Sequence, residues 1–437
     1  MATMVEYTKM RASDENHKDL LWALGLNRFT LRIMGLWPDG NDTKESIGNS
    51  IRVPIMIMFM LFALFLPQMY ALVLVINDLP LVLDNLMTSI SSFTSSFKLF
   101  FLWHNKKVLR PVVESAIKDW MSPKNNWKRE TMINQAKLAR FFTIGGYGVI
   151  VGCLVSFSAA PLIGIDIRMI SNITDYGDRY LMVQSYFPYD YSKSPAFELT
   201  YASQVIGGIC VALCVSSPDN YFGALVLHAA AQFEILAYDI EHFLCKSEDS
   251  ADNEEEFRKE LGCLVDRHVH LTRMMSAVEK SFNLVIAAQL FCMSAMICCL
   301  GFQILNMFSN SGNKSSLLQI MTLIATLIML MIHTLLDCFA SETVMTSRSR
   351  IFYSVYNIGW YRRPKKIIRD LIPMMVISAK PPPLTAGKIY YLSLATYAYV
   401  SMNEIWQDSF DLAVTISSTT HHTQPTNFYL KQGLGPK

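Results

Sequence analysis

The sequence is short of charge. Asp, Glu, Lys and Arg make up 17% of its 437 residues against 51% hydrophobic side chains, and the mean hydropathy is +0.26. That balance carries more apolar surface than a soluble domain can conceal, so the chain reads as an all-α, polytopic membrane protein. No cleavable leader is expected either, because the first thirty residues carry charges throughout and hold no apolar core. The amino terminus is therefore expected to stay cytosolic.

Catalytic and metal-binding signatures are also missing. There is no H-E-x-x-H, no G-x-S-x-G and no phosphate-cradling glycine loop beside His228, His268, His270 or His333. His268 and His270 stand at i and i+2, on different faces of a helix, and cannot share a metal. The nine cysteines lie in apolar runs or in loops placed in the cytosol, without paired zinc spacing, and read as small packing residues, Cys210 with Cys214 and Cys298 with Cys299 included. No enzyme activity, cofactor, metal or nucleic-acid partner is expected.

What the chain has is span-length apolar sequence. A bilayer core of roughly 30 Å needs about 20 helical residues. Six stretches supply them: Val53–Ile76, Leu79–Trp103, Phe141–Leu162, Leu199–Ser217, Ser281–Phe308 and Ser316–Ala340, with a seventh candidate beginning at Ile389. Lys and Arg fix the orientation because they resist translocation. Alternate loops hold 30 of them against 4, which puts the amino terminus inside, inverted relative to a G-protein-coupled receptor. The sequons at Asn172 and Asn313 then fall outside, with Asn172 the better candidate for glycosylation, while Asn41 falls inside.

The fourth apolar stretch does not stop at the membrane boundary. It continues through SSPDN into YFGALVLHAAAQFEILAYDIEHF, and a helix of that length leaves the lipid. Its apolar face, Tyr221 to Ala237, then has to bury against protein, and Phe257–Lys280 and Ser341–Met375 are the available partners. The expected organisation is a cytosolic segment 1–52, spans and inward extensions over 53–340 with 219–280 in a cytosolic helical anchor, further anchor over 341–380, a partial seventh span over 381–402 and a polar tail over 403–437.

Polar and aromatic residues within the spans mark candidate sites. Lys98 and Asp337 lie toward inner ends, where snorkelling accounts for them. Asp84 and Asn85 lie in the outer half of the second span and are expected to face protein or a water-filled cavity. Met87, Phe93, Phe157, Tyr201, Gln204 and Ile206 mix aromatic, thioether and hydrogen-bonding groups in the outer halves, which suits a pocket for a small apolar ligand. Each of the six also suits ordinary helix packing.

Four segments carry a family resemblance. YFPYDYSKSPAFELTYASQ (186–204), DNYFGALVLHAAAQFEILAYDI (219–240), HVHLTRMMSAVEKSFNLVIAAQLFCMSAMICCLGFQI (268–304) and VYNIGWYRRPKKIIRDLIPMMVISAKPPPLTAGKIYYLSLATY (355–397) resemble, in order and spacing, segments of insect odorant receptors. FKLFFLWHNK of the second span agrees with them. The resemblance implies seven spans, an inside amino terminus in the plasma membrane, and a ligand-gated nonselective cation channel. It implies assembly, as a tetramer through the anchor, with a shared co-receptor. It also implies volatile ligands held among the outer halves of the second, third, fourth and sixth spans, and a pore-lining seventh span carrying Tyr391, Leu394 and Tyr397. Three rival classes would differ in sequence. A G-protein-coupled receptor would have an outer disulfide, yet Ile163–Glu198 has no cysteine; a gustatory receptor would have Gln-Phe where Asn403 and Glu404 stand; a transporter would have repeated, broken spans.

The seventh span departs from the family. Ile389 to Met402 gives about 14 residues, roughly 21 Å of helix against about 30 Å of core. Asn403, Glu404, Gln407, Asp408 and Asp411 follow. The sequence leads us to expect residues after about Val400 to derive from an alternative splice or intron read-through, and this form to conduct poorly or not at all.

Overall fold

The computed structural model describes residues 2–37, 47–164, 168, 170–171, 173–175, 179–246, 254–309, 317–357, 361 and 365–399; Asn172, Asn313 and the tail after Tyr399 lie outside them. The described chain is mostly helical: α1 (Ala2–Ile33), α2 (Ile47–Met60), α3 (Leu66–Leu74), α4 (Leu79–Met121), α5 (Asn126–Ala159), α6 (Ala196–Lys246), α7 (Glu254–Ser309), α8 (Leu317–Tyr356), α9 (Lys365–Ala379) and α10 (Leu394–Tyr399). A five-residue π turn, Leu61–Phe65, joins α2 to α3. Pro67 follows it and has no N–H for the carbonyl four residues back, so the helical ladder widens there.

Five helices are long and apolar enough to cross a membrane: Ile51–Leu74, Asn126–Ile163, Ala196–Phe243, Phe257–Ile304 and Gln319–Tyr356. The protein is multi-pass. Helix α4 has 43 residues but falls short on composition, because its first half carries Asp84, Asn85 and a run of serines and threonines. Those hydroxyls are satisfied within the helix. Ser92, Thr94, Ser95 and Ser96 each donate to the carbonyl four residues earlier, at 2.7 to 3.0 Å. Asp78 caps the helix start by accepting from Leu81 N.

Helix α6 is the central column. With 51 residues it is about 77 Å long, far beyond a bilayer core. From Ser216 to Ala237 every residue but Glu234 is buried, among α4, α5, α7 and α8. A helix apolar on all sides is stable only when surrounded in this way. The largest core cluster gathers Phe222, Leu227 and Phe233 of α6, Trp120 of α4, Leu271 and Phe282 of α7 and Ile351 of α8.

Ion pairs stitch the same end of the molecule together. Asp119 accepts from Arg267 at 2.8 Å and lies 3.3 Å from His228, while Arg267 also donates to Gln232 at 2.9 Å. Lys128 pairs with Asp239 at 2.7 Å. Burial alone would raise the Asp119 carboxyl; the hydrogen bond and charge of His228 and the Arg267 guanidinium outweigh it and hold the group below its ordinary 3.8.

The start of the expected seventh span needs a correction. A helix from Ile389 is not what forms: Thr385–Ala386 pairs antiparallel with Tyr390–Tyr391, and the helix begins only at Leu394. The physical reason is the turn. Gly387 and Lys388 both have positive φ, +63° and +58°, as hairpin turns of the I′ type require. Helix α7 holds the hairpin in place, with Asn283 Nδ2 donating to Thr385 O at 2.8 Å and Gly387 N donating to Asn283 O at 3.1 Å.

Two outcomes follow. Gly387→Val places a Cβ on a left-handed residue, where it would lie 3.0 Å from the Ala287 Cβ, so thermal unfolding of the purified protein is expected to show a loss of about 1–2 kcal/mol or more. An unchanged midpoint would contradict the hairpin. Because the folded Asp119 carboxyl sits low, its contribution is fully present above the unfolded value near 3.8 and is lost as pH falls through the folded value. Acid unfolding of Asp119→Asn is expected to lack that part of the pH dependence.

Candidate ligand cavity and its cover

A cavity of about 150 Å³ lies between α4, α5, α6 and α8, close to the π turn. Its wall is chiefly apolar: Leu64 from the π turn; Ile150, Leu154 and Phe157 from α5; Gly208, Val211, Ala212 and Val215 from α6; and Met329 from α8. A volume of about this size accepts a molecule the size of benzene. Gly208 makes room for it: a Cβ there would meet Met182 Cε at 3.0 Å and Leu154 Cδ1 at 3.1 Å.

Polar groups on the wall are few. Thr88, Ser91, Ser92 and Thr326 each donate a hydroxyl hydrogen to a carbonyl of their own helix, at 2.9 to 3.0 Å. That leaves hydroxyl oxygens as hydrogen-bond acceptors toward the cavity. A ligand with an apolar body and one O–H donor matches such a wall. A recess of about 10 Å³ shares Thr88, Phe157, Met182 and Val183 with the cavity and is more polar, being lined also by Met87, Asp84, Arg168, Gln184 and Thr322.

The segment before α6 covers one side of the cavity with Met182 and Val183. Gln204 holds it: its Oε1 accepts from Val183 N at 3.3 Å and its Nε2 donates to Ser185 Oγ at 3.1 Å. Asn85 Nδ2 donates to Gln184 Oε1 at 3.2 Å, and Tyr186 N donates to the Pro67 carbonyl at 3.0 Å. Arg168 forms a two-pronged ion pair with Asp175 and donates from Nε to Leu181 O at 3.1 Å. Tyr191 donates to Thr174 O at 2.6 Å. The cover is thus tied to α3, α4 and α6 by backbone and amide bonds.

Among the residues singled out by sequence, Phe157 and Gln204 line the cavity, and Met87 and Phe157 line the recess. Tyr201 is buried beside them, packs on Phe197 and donates to the Ser158 carbonyl. Phe93 and Ile206 are about half exposed and turn outward, Phe93 against Phe65. Helical phase explains this: on α4 the cavity face is Thr88, Ser91, Ser92, and on α6 it is Gln204, Gly208, Val211, Ala212, Val215, so residues 93 and 206 fall off both rows. Stepping by three or four from Gln204 would have found the missed α6 residues. Nothing in the sequence marked Met182 and Val183, which act from irregular backbone. Of the seventh-span candidates, Tyr391 is exposed in the hairpin, Tyr397 packs on the main core, and Leu394 lines a second, polar cavity with Gln135, Glu342 and Arg350.

Lys98 and Asp337 need a correction. Neither snorkels. Both are buried, at 1% and 2% exposure, in a polar cluster beneath the cavity where Lys98 pairs with Asp219 at 2.8 Å. Partners from neighbouring helices hold them inside.

Gln204→Leu removes the acceptor of the Val183 N–H, a loss of about 1–3 kcal/mol for a buried donor left unpaired. Hydrogen exchange across Val183–Tyr186 is expected to quicken by roughly ten- to a hundredfold while α6 and α8 stay protected. Unchanged exchange there would contradict the clamp.

Comparison with known proteins agrees with this architecture. Residues 78–402 match the family model described as 7tm Odorant receptor. Odorant receptor 13a of Drosophila melanogaster is 24% identical over 350 residues, covering 76% of this chain and 79% of its own. Odorant receptor 82a of the same fly is 20% identical over 385 residues, covering 85% and 94%. Among solved structures, the insect olfactory receptor OR5 from Machilis hrabei in complex with eugenol superposes with a TM-score of 0.74 at 15% identity, over 90% of this chain and 97% of that one. With a family model spanning residues 78–402 and a fold shared over 90% of its length with a solved insect olfactory receptor, the chain belongs to the 7tm odorant receptor family.

Proposed function

We propose that the chain is the ligand-binding subunit of a ligand-gated, nonselective cation channel, assembled with a shared co-receptor and opened by volatile organic molecules. The carrying observation is the mainly apolar cavity of about 150 Å³ bordered by a hydrogen-bonded cover. Its volume suits single-ring aromatics and short alcohols, and its hydroxyl oxygens favour one O–H donor on the ligand. The related receptor OR5 was solved in complex with eugenol, a ring of that kind. On this reading the amino terminus is cytosolic, the chain sits in the plasma membrane, α4 is a span whose hydroxyls are satisfied internally, and the lower helical bundle is the cytosolic anchor. The spans number six, with a partial seventh.

A second reading is favoured by sequence after Val400. Asn403, Glu404, Asp408 and Asp411 follow the short α10, and carboxylates in hydrocarbon cost several kcal/mol together, so the chain would bind odorant and conduct weakly.

Whole-cell current from cells co-expressing the chain and an insect co-receptor decides between them. Phenols and short alcohols are expected to evoke current, and Gly208→Leu, which fills the cavity against Met182 and Leu154, is expected to abolish it with surface expression retained. Displacement of a bound fluorescent phenol without current would favour the second reading. Neither displacement nor current across the panel, with the chain at the surface, would contradict both.

A further inference from the structure

Lys98, Asp219, Gln289, His333 and Asp337 are each more than nine-tenths buried, and they meet where α4, α6, α7 and α8 adjoin below the cavity. Asp219 is saturated. Lys98 Nζ lies 2.8 and 2.9 Å from its two oxygens, His333 Nδ1 lies 2.9 Å from Oδ2, and Gln289 Nε2 donates to the same oxygen at 3.1 Å. Asp337 is not. Gln289 Nε2 donates to its Oδ2 at 3.5 Å, while Asp337 Oδ1 and Gln289 Oε1 are both buried without a partner.

A carboxyl and a carboxamide are therefore joined by one long N–H···O contact, and each keeps one buried acceptor without a partner. A buried acceptor left without a donor is costly. A single hydrogen resolves both, because Oδ1–H can donate to Oε1 while Nε2–H donates to Oδ2, closing an acid–amide ring. Charge balance points the same way. Lys98 from α4 neutralises one carboxylate, that of Asp219 from α6. Helix α7 presents Gln289, α5 brings Gly146 against His333, and on α8 His333 is already engaged by Asp219 and Ser216. Cys338, next to Asp337, turns its thiol to the backbone of Ser393.

We propose that Asp337 is a buried proton-binding site, its carboxyl carrying a proton that bridges to Gln289 and seats α8 against α7. The folded chain then holds one proton that the unfolded chain releases near neutral pH. Stability must fall as pH rises, by about tenfold in the folding equilibrium constant per pH unit while the proton is held.

The test uses the purified full chain in lipid nanodiscs. Infrared difference spectra at neutral pH are expected to show the carbonyl stretch of a protonated carboxylic acid, shifted in D₂O, in the wild type and not in Asp337→Asn. The Asn variant supplies a permanent N–H to Gln289 Oε1, so it is expected to fold and to lose the pH slope of thermal stability. Should that variant fail to fold, Gln289→Leu decides: removing the amide is expected to move the acid band to higher frequency. A spectrum without the band, or an unchanged band in Gln289→Leu, would overturn the proposal. So would stabilisation by sodium chloride over N-methyl-D-glucamine chloride in the wild type alone, which would assign the orphaned oxygens to a cation.

Discussion

The Lys98–Asp219 ion pair is the fixed point of the molecule. A lysine and an aspartate at 1% and 3% exposure have no water to turn to, and removing one partner of such a pair costs about 3–5 kcal/mol. The pair sits beside a break in α6: Pro218 has no N–H for the Cys214 carbonyl, so the helix ladder opens there. Lys98 donates to the neighbouring Val215 carbonyl at 3.1 Å as well. One side chain thus fastens α4 to α6 through both a charge and the backbone.

Everything else is arranged on either side of that point. Val215, whose carbonyl the lysine holds, is part of the cavity wall, and from it the α6 face climbs through Ala212, Val211 and Gly208 to Gln204 and the cover. In the other direction Asn220 and Tyr221 begin the buried column that α7 and α8 surround. A polar centre between two apolar regions sets the register of four helices, since sliding any one of them would strand a buried charge.

Much of this was legible in the sequence, and the limits have physical causes. Helix lengths and the apolar continuation past Asp219 followed from composition because a bilayer fixes how long a span must be. Phe157 and Gln204 could be named as cavity candidates by chemistry, yet Phe93 and Ile206 share that chemistry and face outward, since composition does not set helical phase. The cover escaped notice because Val183 acts through its backbone N–H, which every residue but proline has. Lys98 and Asp337 read as snorkelling because their partners lie on other helices, more than a hundred residues away in the case of Lys98 and Asp219. In the hairpin, an apolar Ile389–Tyr391 reads as helix until Gly387 and Lys388 are given positive φ.

On the proposed reading, a volatile ligand sits in the cavity between α4, α5, α6 and α8. Cryo-electron microscopy of the full chain with its co-receptor and an activating phenol tests it most directly. Density for one ring is expected against Phe157, Gly208 and Val211, its hydroxyl within hydrogen-bond reach of Ser91, Ser92 or Thr88. Ligand density in the polar cavity beside Gln135, Glu342 and Arg350, with the void beneath Val183 left empty, would contradict it.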